Sequence, residues 1–332
     1  MRITGTRAIA AVLLGLLAAG EARAQESLLS KTMHSQSRYL RFAVVDGRVR
    51  LQWTRLVQMN SSSSSDSMKE SFRVRNQNGR LHLTYERTAK DESLKVSVSG
   101  DGDAVSISRA PRGQSAIVPV EYRQDPREKI TFSVGDGDRK QTFSADGLWQ
   151  LLIIRRKECE EHLLPLLEVL RPDWEIAETA AGIEVKLLHG ASEKIAKRRR
   201  WDSLVEQLGD ERFAKREAAD RTLRADGSAA IGYLRQLDFD RLDAEQQFRI
   251  RRILEALDEE DKDDSAEEVA ERLAGDSAVW LALLARPEPE SRKTAARQLT
   301  LLLGGPIDVD PAADPDTQKQ QREQLRARIL QP

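Results

Sequence analysis

Residues 141–154 have the sequence QTFSADGLWQLLII, and the spacing of their apolar residues changes at Asp146. Upstream of Asp146, apolar and polar residues alternate in short runs, which is the period of a β-strand. Downstream, apolar residues recur every three to four positions, which is the period of an amphipathic helix. The sequence therefore predicts an α+β protein, in which an N-terminal antiparallel β-meander domain precedes a C-terminal all-α short helical stack.

Upstream of Asp146, the alternating runs predict four hairpins, the first from Tyr39 to Trp53. Their turns are Asp46-Gly47, Asn78-Gly79, Gly100 to Asp103 and Gly135 to Asp138. These residue types accept the positive φ angles of tight hairpin turns. A further strand is predicted over 117–122. The alternation indicates a sheet with one buried and one solvated face, and we expect about eight or nine strands in a curled sheet or an open barrel.

Two polar motifs in this half allow a functional or a structural interpretation. Both Gly-Asp-Gly-Asp turns resemble calcium loops, but calcium takes about six to eight oxygen ligands and neither turn has the additional acids. Plain turns are therefore favoured. The run from Ser61 to Ser65 predicts a flexible loop between strands, because it cannot bury apolar surface. The overlapping Asn60-Ser61-Ser62 matches the N-glycosylation pattern, which is a weak signal.

Downstream of Asp146, apolar stripes predict a series of helices. Asp146 and Asp210 are predicted N-caps, and Gly227 should end the helix that Asp210 begins. The clearest stripes follow the i, i+3, i+4, i+7 rule. A helix with such a stripe needs a neighbour to bury it, so we expect a shared core made by the following residues: Trp201, Leu204, Leu208, Ile250, Leu254 and Leu257.

The stretch from Trp201 to Arg221, WDSLVEQLGDERFAKREAADR, resembles a HEAT-like repeat of exported bacterial proteins. It has a short helix, a Gly-Asp turn, an aromatic residue and an Arg-Glu-Ala-Ala helix. The run PESRKTAARQL, residues 289–299, is similar to the second helix of such a repeat. The resemblance covers about residues 200–304 and implies a scaffold that binds a protein or another ligand, with no catalytic residues.

The N-terminus resembles a secretory signal, because Arg2 and Arg7 precede an apolar run and Ala22-Arg23-Ala24 matches an A-x-A cleavage site. The apolar run is shorter than the roughly 20 residues that span a bilayer. We therefore expect an exported protein, periplasmic or extracellular, with no membrane insertion after cleavage. The predicted organisation is a signal peptide at 1–24, a flexible lead-in at 25–36, the β domain at 37–145, a helical connector at 146–195 and the HEAT-like domain at 196–332. The two halves should be separable by a cut between about 145 and 195.

Charge and cysteine content favour structural interpretations. Removing residues 1–24 takes the formal net charge from −1 to −3, which is no basis for binding nucleic acid. The basic run Lys197 to Arg200 is predicted to be a solvated helix start, and the acidic run Asp258 to Asp264 a solvated loop between helices. Cys159 and His162 are too few ligands for zinc, so Cys159 is predicted to be a buried thiol.

No familiar catalytic motif is present in the sequence. The four histidines, His34, His82, His162 and His189, form no H-E-x-x-H motif, and there is no P-loop or nucleophile elbow. The sequence assigns no catalytic, cofactor-binding or metal-binding residues. The leading hypothesis is a non-enzymatic exported binding or scaffold protein of the bacterial envelope with a protein partner. The alternative is an envelope-polymer hydrolase that uses paired carboxylates in the β domain.

Overall fold

The computed structural model describes residues 40–54, 58–77, 80–235, 237–257 and 263–329. It confirms the predicted α+β class, because antiparallel strands extend to Ala145 and helices follow. The predicted signal peptide, the lead-in and the Asn78-Gly79 turn lie outside the described residues. The strands are β1 Leu40–Val45, β2 Arg48–Thr54, β3 Gln58–Ser64, β4 Met68–Gln77, β5 Arg80–Ala89, β6 Glu92–Ser99, β7 Ala104–Pro111, β8 Val120–Gln124, β9 Ile130–Val134 and β10 Gln141–Ala145.

The strands form a two-stranded hairpin and an eight-stranded antiparallel sheet. The hairpin is β1–β2, and the large sheet has the order β10-β9-β8-β7-β6-β5-β4-β3, so the predicted meander is confirmed. β3 and β10 are its two edges. β8 begins at Val120 rather than at the predicted residue 117. Pro119 has no N–H for a strand ladder, although its carbonyl accepts a bond from the Gly135 N–H at 2.9 Å.

The prediction of a flexible loop at Ser61 to Ser65 is wrong for Ser61 to Ser64. Residues 58–64 form β3, which pairs with β4 over its whole length. Only Ser65 belongs to the turn, where its N–H donates to the Met68 carbonyl at 2.8 Å. A strand at the edge of a sheet needs backbone hydrogen bonds to one neighbour, and its side chains need not be apolar. Composition therefore gave the wrong local structure here.

The two faces of the large sheet differ as the alternation predicted. A buried row crosses the inner face from strand to strand, through Phe72, Tyr85, Val96, Ile107, Tyr122 and Phe132. The outer face carries polar rows, of which one is Asn60, Arg73, Thr84, Ser97, Ser106, Arg123, Thr131 and Ser144. The inner face is therefore the one that packs against the rest of the protein.

The helices follow directly after β10. They are α1 Leu148–Ile154, α2 Arg156–Glu158, a π-helical turn Cys159–Leu163, α3 Leu164–Leu167, α4 Ile176–Leu188, α5 Ala191–Leu208, α6 Phe213–Ala225, α7 Ser228–Leu234, α8 Ala244–Leu257, α9 Ala266–Leu273, α10 Ser277–Leu283, α11 Pro289–Leu303 and α12 Pro315–Ile329. Short 3₁₀ turns lie at Gly137–Arg139 and Phe239–Arg241.

Both predicted N-caps are wrong. The cap of α1 is Gly147, which has no side chain to accept a capping bond, and the Asp146 N–H donates to Gln150 Oε1 at 2.6 Å. The cap of α6 is Arg212, and Asp210 lies two residues earlier, where its carboxylate accepts the Arg212 N–H at 2.9 Å. In each case the helix begins later than the capping preference of Asp suggested. Gly227 follows the end of α6, as predicted, with a φ of 62°.

The hydrophobic core continues across Asp146. Inner-face residues of the sheet belong to the same buried cluster as Leu148 and Leu152 of α1 and Trp280 of α10. A second cluster lies among α5 to α8 and contains Trp201, Leu204, Leu208 and Ile250, which confirms these members of the predicted helical core. Leu254 packs at its margin and is only partly buried. The side chain of Leu257 lies outside the described residues. The division into separable halves stays a prediction.

Candidate binding surfaces

The edge strand β3 gives the sheet a polar and largely exposed edge. Among the described residues, the backbone of β3 is hydrogen-bonded in the sheet only to β4. The Ser65 N–H donates to the Met68 carbonyl at 2.8 Å, so the backbone groups of these two opposite residues face each other. Such pairs alternate along an antiparallel ladder, so Ser61 and Ser63 bond to β4. The intervening residues, Gln58, Asn60, Ser62 and Ser64, therefore direct their N–H and C=O groups towards the open edge.

A hydrogen bond two strands away supports this alternation. If the same alternation continues through β4, the odd-numbered residues of β4 bond to β5. The backbone groups of Leu81 in β5 should then point away from β4 and towards β6. The Leu81 N–H does donate away from β4, to the Gly100 carbonyl at 3.0 Å. The directions of the β3 backbone groups thus agree with an independent part of the same ladder.

β3 lacks the features that usually protect a sheet edge. Proteins use charged side chains, Pro, bulges or short strands for that purpose. β3 is seven residues long, contains only Gln, Met, Asn and Ser, and pairs with β4 without a register shift. The opposite edge differs, because β10 has five residues and the Arg155 guanidinium lies 4.6 Å from the centre of the Phe143 ring. The edge of β3 is the better candidate for binding an extended chain.

Two further exposed aromatic side chains lie on α6 and α8. Phe213 of α6 is 63% exposed and Phe248 of α8 is 55% exposed. The guanidinium of Arg216 lies 5.6 Å from the Phe213 ring centre, and that of Arg252 lies 5.9 Å from the Phe248 ring centre. Aromatic and arginine side chains are enriched where proteins bind one another. Residues 213 and 248 are therefore candidate contacts for a protein partner.

A shallow acidic cleft lies where the chain enters α4. It has a volume of about 310 Å³, and its lining includes Glu168, Asp173, Trp174, Glu175 and Glu178. Arg171 contributes a positive charge beside it, with its guanidinium 5.8 Å from the Trp174 ring and 3.6 Å from the Asp173 carboxylate. These carboxylates belong to the helical connector, whereas the hydrolase hypothesis located its acids in the β domain.

The prediction that the acidic run before α9 is a solvated loop holds for the exposed Asp263 but is wrong for Asp264, whose side chain is largely enclosed. Asp263 accepts the Val44 N–H at 2.8 Å. The Asp264 side chain is 10% exposed and accepts bonds from the turn between β1 and β2, from α1 and from α9. Its donors are the N–H groups of Asp46 and Gly47, Trp149 Nε1 and Arg272 Nη2. Both carboxylate oxygens of Asp264 thus accept hydrogen bonds that join the hairpin to the helices.

The basic run Lys197 to Arg200 is also engaged in structure. It lies in the interior of α5 rather than at a solvated helix start, so that prediction is wrong. Its contacts are Lys197 Nζ to Glu271 at 2.7 Å, Arg198 to the Arg272 carbonyl at 3.0 Å, Arg199 to the Leu301 carbonyl at 3.2 Å and Arg200 to Asp226 at 3.8 Å. These side chains connect α5 to α9 and α11, a role that a linear charge run cannot reveal.

The cysteine and the glycine-rich turns have the structural roles that were predicted. Cys159 is fully buried, and burial raises the pKa of its thiol, so the reactive thiolate is disfavoured. Gly102 has a φ of 85°, and a Cβ there would meet the Leu51 carbonyl oxygen at 2.3 Å, because this turn packs against β2. His82 is exposed on β5. In the described part of the chain, no three His, Cys, Asp or Glu side chains are arranged to hold a metal ion.

No protein-family model matches this chain, and comparisons with curated proteins and with solved structures find no match either. Within the described ranges, no helix has both the length and the apolar character needed to cross a membrane. The candidate surfaces therefore have to be argued from their own geometry.

Proposed function

We propose that this chain is a non-enzymatic exported binding or scaffold protein of the bacterial envelope, and that its partner adds an extended segment to the free edge of β3. The main support is the row of backbone N–H and C=O groups on Asn60, Ser62 and Ser64 that point away from β4, as the Ser65–Met68 bond and the register imply. An exposed edge of this kind binds an extended peptide by main-chain hydrogen bonds. Location in the periplasm or outside the cell follows from the sequence of residues 1–24.

The rest of the fold supports a scaffold role. The helices and the β1–β2 hairpin cover the inner face of the sheet and leave the polar outer face and the β3 edge exposed. The exposed Phe213 and Phe248 offer a second surface on the HEAT-like region. Two separate exposed surfaces on one chain are what a scaffold needs to contact a partner at more than one place.

The test compares Ser62→Pro with Ser62→Ala in the otherwise intact protein. Proline removes the outward N–H of residue 62 and keeps the bonds to β4, since Ser62 does not donate to β4. Alanine removes only the hydroxyl. Each variant is used to capture polypeptides from envelope extract, with unfolding midpoints measured to show that both remain folded.

We expect the wild type and Ser62→Ala to retain the same polypeptide and Ser62→Pro to lose most of it. Equal recovery on all three proteins would show that the β3 edge is not the binding site. The alternative, a hydrolase of envelope polymer, predicts shortened polymer in the same extract and no dependence on the N–H of residue 62.

A further inference from the structure

We infer that the segment bound at the β3 edge is β3 of a second copy of this chain, paired antiparallel about a two-fold axis at Ser61. This inference rests on the proposed function and names the partner of the same edge. Three features of β3 support it: the number of backbone bonds that one register allows, the absence of charge on the strand, and the continuity of the outer face.

The alternation of backbone groups selects one register. With the axis at Ser61, Asn60 lies opposite Ser62 of the second copy and Gln58 lies opposite Ser64. All four outward residues of each strand then face outward residues, which gives about eight N–H···O=C bonds. Moving the axis to Asn60 or to Ser62 pairs only three outward residues of each strand. An axis between two residues pairs outward residues with residues already bonded to β4.

The side chains of this register are compatible. Residues opposite each other are amides, hydroxyls and Met59, and β3 itself carries no charge that would be repelled by its copy. The basic residues Lys69, Arg73 and Arg75 belong to β4. The two β4 strands would be three strand spacings apart, about 14 Å. This exceeds the screening length of about 8 Å in physiological salt.

The outer polar rows would continue across the axis. Asn60 belongs to the row that contains Arg73 and Thr84, and Ser62 belongs to the next row, with Ser71 and Glu86. Pairing Asn60 with Ser62 of the second copy joins the two rows end to end, with no apolar residue between them. The same patch would serve both subunits, as in the two-fold interfaces of most homodimers.

Cysteine cross-linking tests the register directly. At the axis, Ser61 faces its own copy as a pair without mutual hydrogen bonds, with Cα atoms about 4.5 Å apart, which is within the disulfide range of about 4.4–6.8 Å. Ser63 lies on the same face but would be displaced from its copy by four residues, about 14 Å. Ser63→Cys is therefore the matched control for Ser61→Cys. The native Cys159 is fully buried and does not compete.

We expect mild oxidation to convert Ser61→Cys into a reducible dimer at least tenfold faster than Ser63→Cys. A mixture of Met59→Cys and Ser63→Cys should also cross-link, since this register makes those residues opposite. In sedimentation velocity, wild type and Ser62→Ala should dimerise with rising concentration, and Ser62→Pro should stay monomeric under the same conditions.

Equal cross-linking of Ser61→Cys and Ser63→Cys would overturn the register, and a monomeric wild type with no Ser61→Cys dimer would overturn the second copy as occupant. In the latter case, loss of a captured polypeptide by Ser62→Pro would leave the proposed function standing with a different partner. No effect of Ser62→Pro in either experiment would reject both.

Discussion

Replacing Asp264 by Asn should weaken the hydrogen bonds that attach the β1–β2 hairpin to the helices. Asp264 Oδ2 accepts three N–H groups, those of Gly47 at 2.6 Å, Trp149 at 2.7 Å and Arg272 at 2.9 Å. Its Oδ1 accepts the Asp46 N–H at 2.9 Å. A side-chain amide has one acceptor oxygen, so at least one of these donors would face an NH₂ group. Arg272 would also lose the nearest negative charge.

The burial of the pair determines the size of the effect. The side chains of Arg272 and Asp264 are 6% and 10% exposed, and the next carboxylate, that of Asp46, is 3.7 Å from Arg272 Nη1. Removing one partner of a buried pair costs about 3–5 kcal/mol, and one unpaired buried donor costs about 1–3 kcal/mol. These two costs overlap, so we expect Asp264→Asn to lower the free energy of unfolding by about 3–5 kcal/mol.

Urea unfolding measured by circular dichroism and by tryptophan fluorescence tests this estimate. The matched control is Asp66→Asn, because Asp66 is an exposed residue of the β3–β4 turn, and the control should change stability by no more than about 0.5 kcal/mol. Fluorescence is informative because Trp149 is itself one of the donors. Equal midpoints and slopes for the two variants would refute the argument that Asp264 holds the hairpin in place.

Three further predictions follow from burial and from the sequence. Ile253→Ala should lower the free energy of unfolding by about 2–5 kcal/mol, because Ile253 is fully buried in the helical cluster. Leu254→Ala should lower it less, because Leu254 is only partly buried, and the exposed Glu255→Gln should change it by at most about 0.5 kcal/mol. Equal denaturant midpoints for Ile253→Ala and Glu255→Gln would contradict this. Burial raises the pKa values of Tyr122 and Cys159, so the folded state disfavours their anions. This stability is present below the unfolded-state pKa, about 10 for Tyr122 and about 8.5 for Cys159, and is lost as pH rises above it. Thermal midpoints measured from neutral to alkaline pH should therefore fall less steeply for Tyr122→Phe than for wild type, and identical slopes would contradict a role for Tyr122. N-terminal sequencing of the exported protein should begin at Gln25, and a chain that still begins with Met1 would contradict export by signal cleavage.

The sequence by itself determined the features that depend on neighbouring residues. The change from strands to helices at Asp146, the hairpin turn at Gly102 and the buried thiol of Cys159 were all predicted. Period-2 and period-3.6 spacing choose the local backbone, and glycine allows the positive φ of the turn. These are local effects, so a single sequence is enough to recognise them.

Only the tertiary structure decided the roles of the serine run and of the two charge runs. Ser61 to Ser64 are in a strand because β4 supplies their hydrogen bonds. Asp264 is buried because its donors come from Asp46 and Gly47, more than 200 residues earlier in the chain. Lys197, Arg198 and Arg199 have partners because α9 and α11 lie beside α5. A polar residue's role depends on which donor or acceptor faces it, and folding brings that group from a distant part of the sequence.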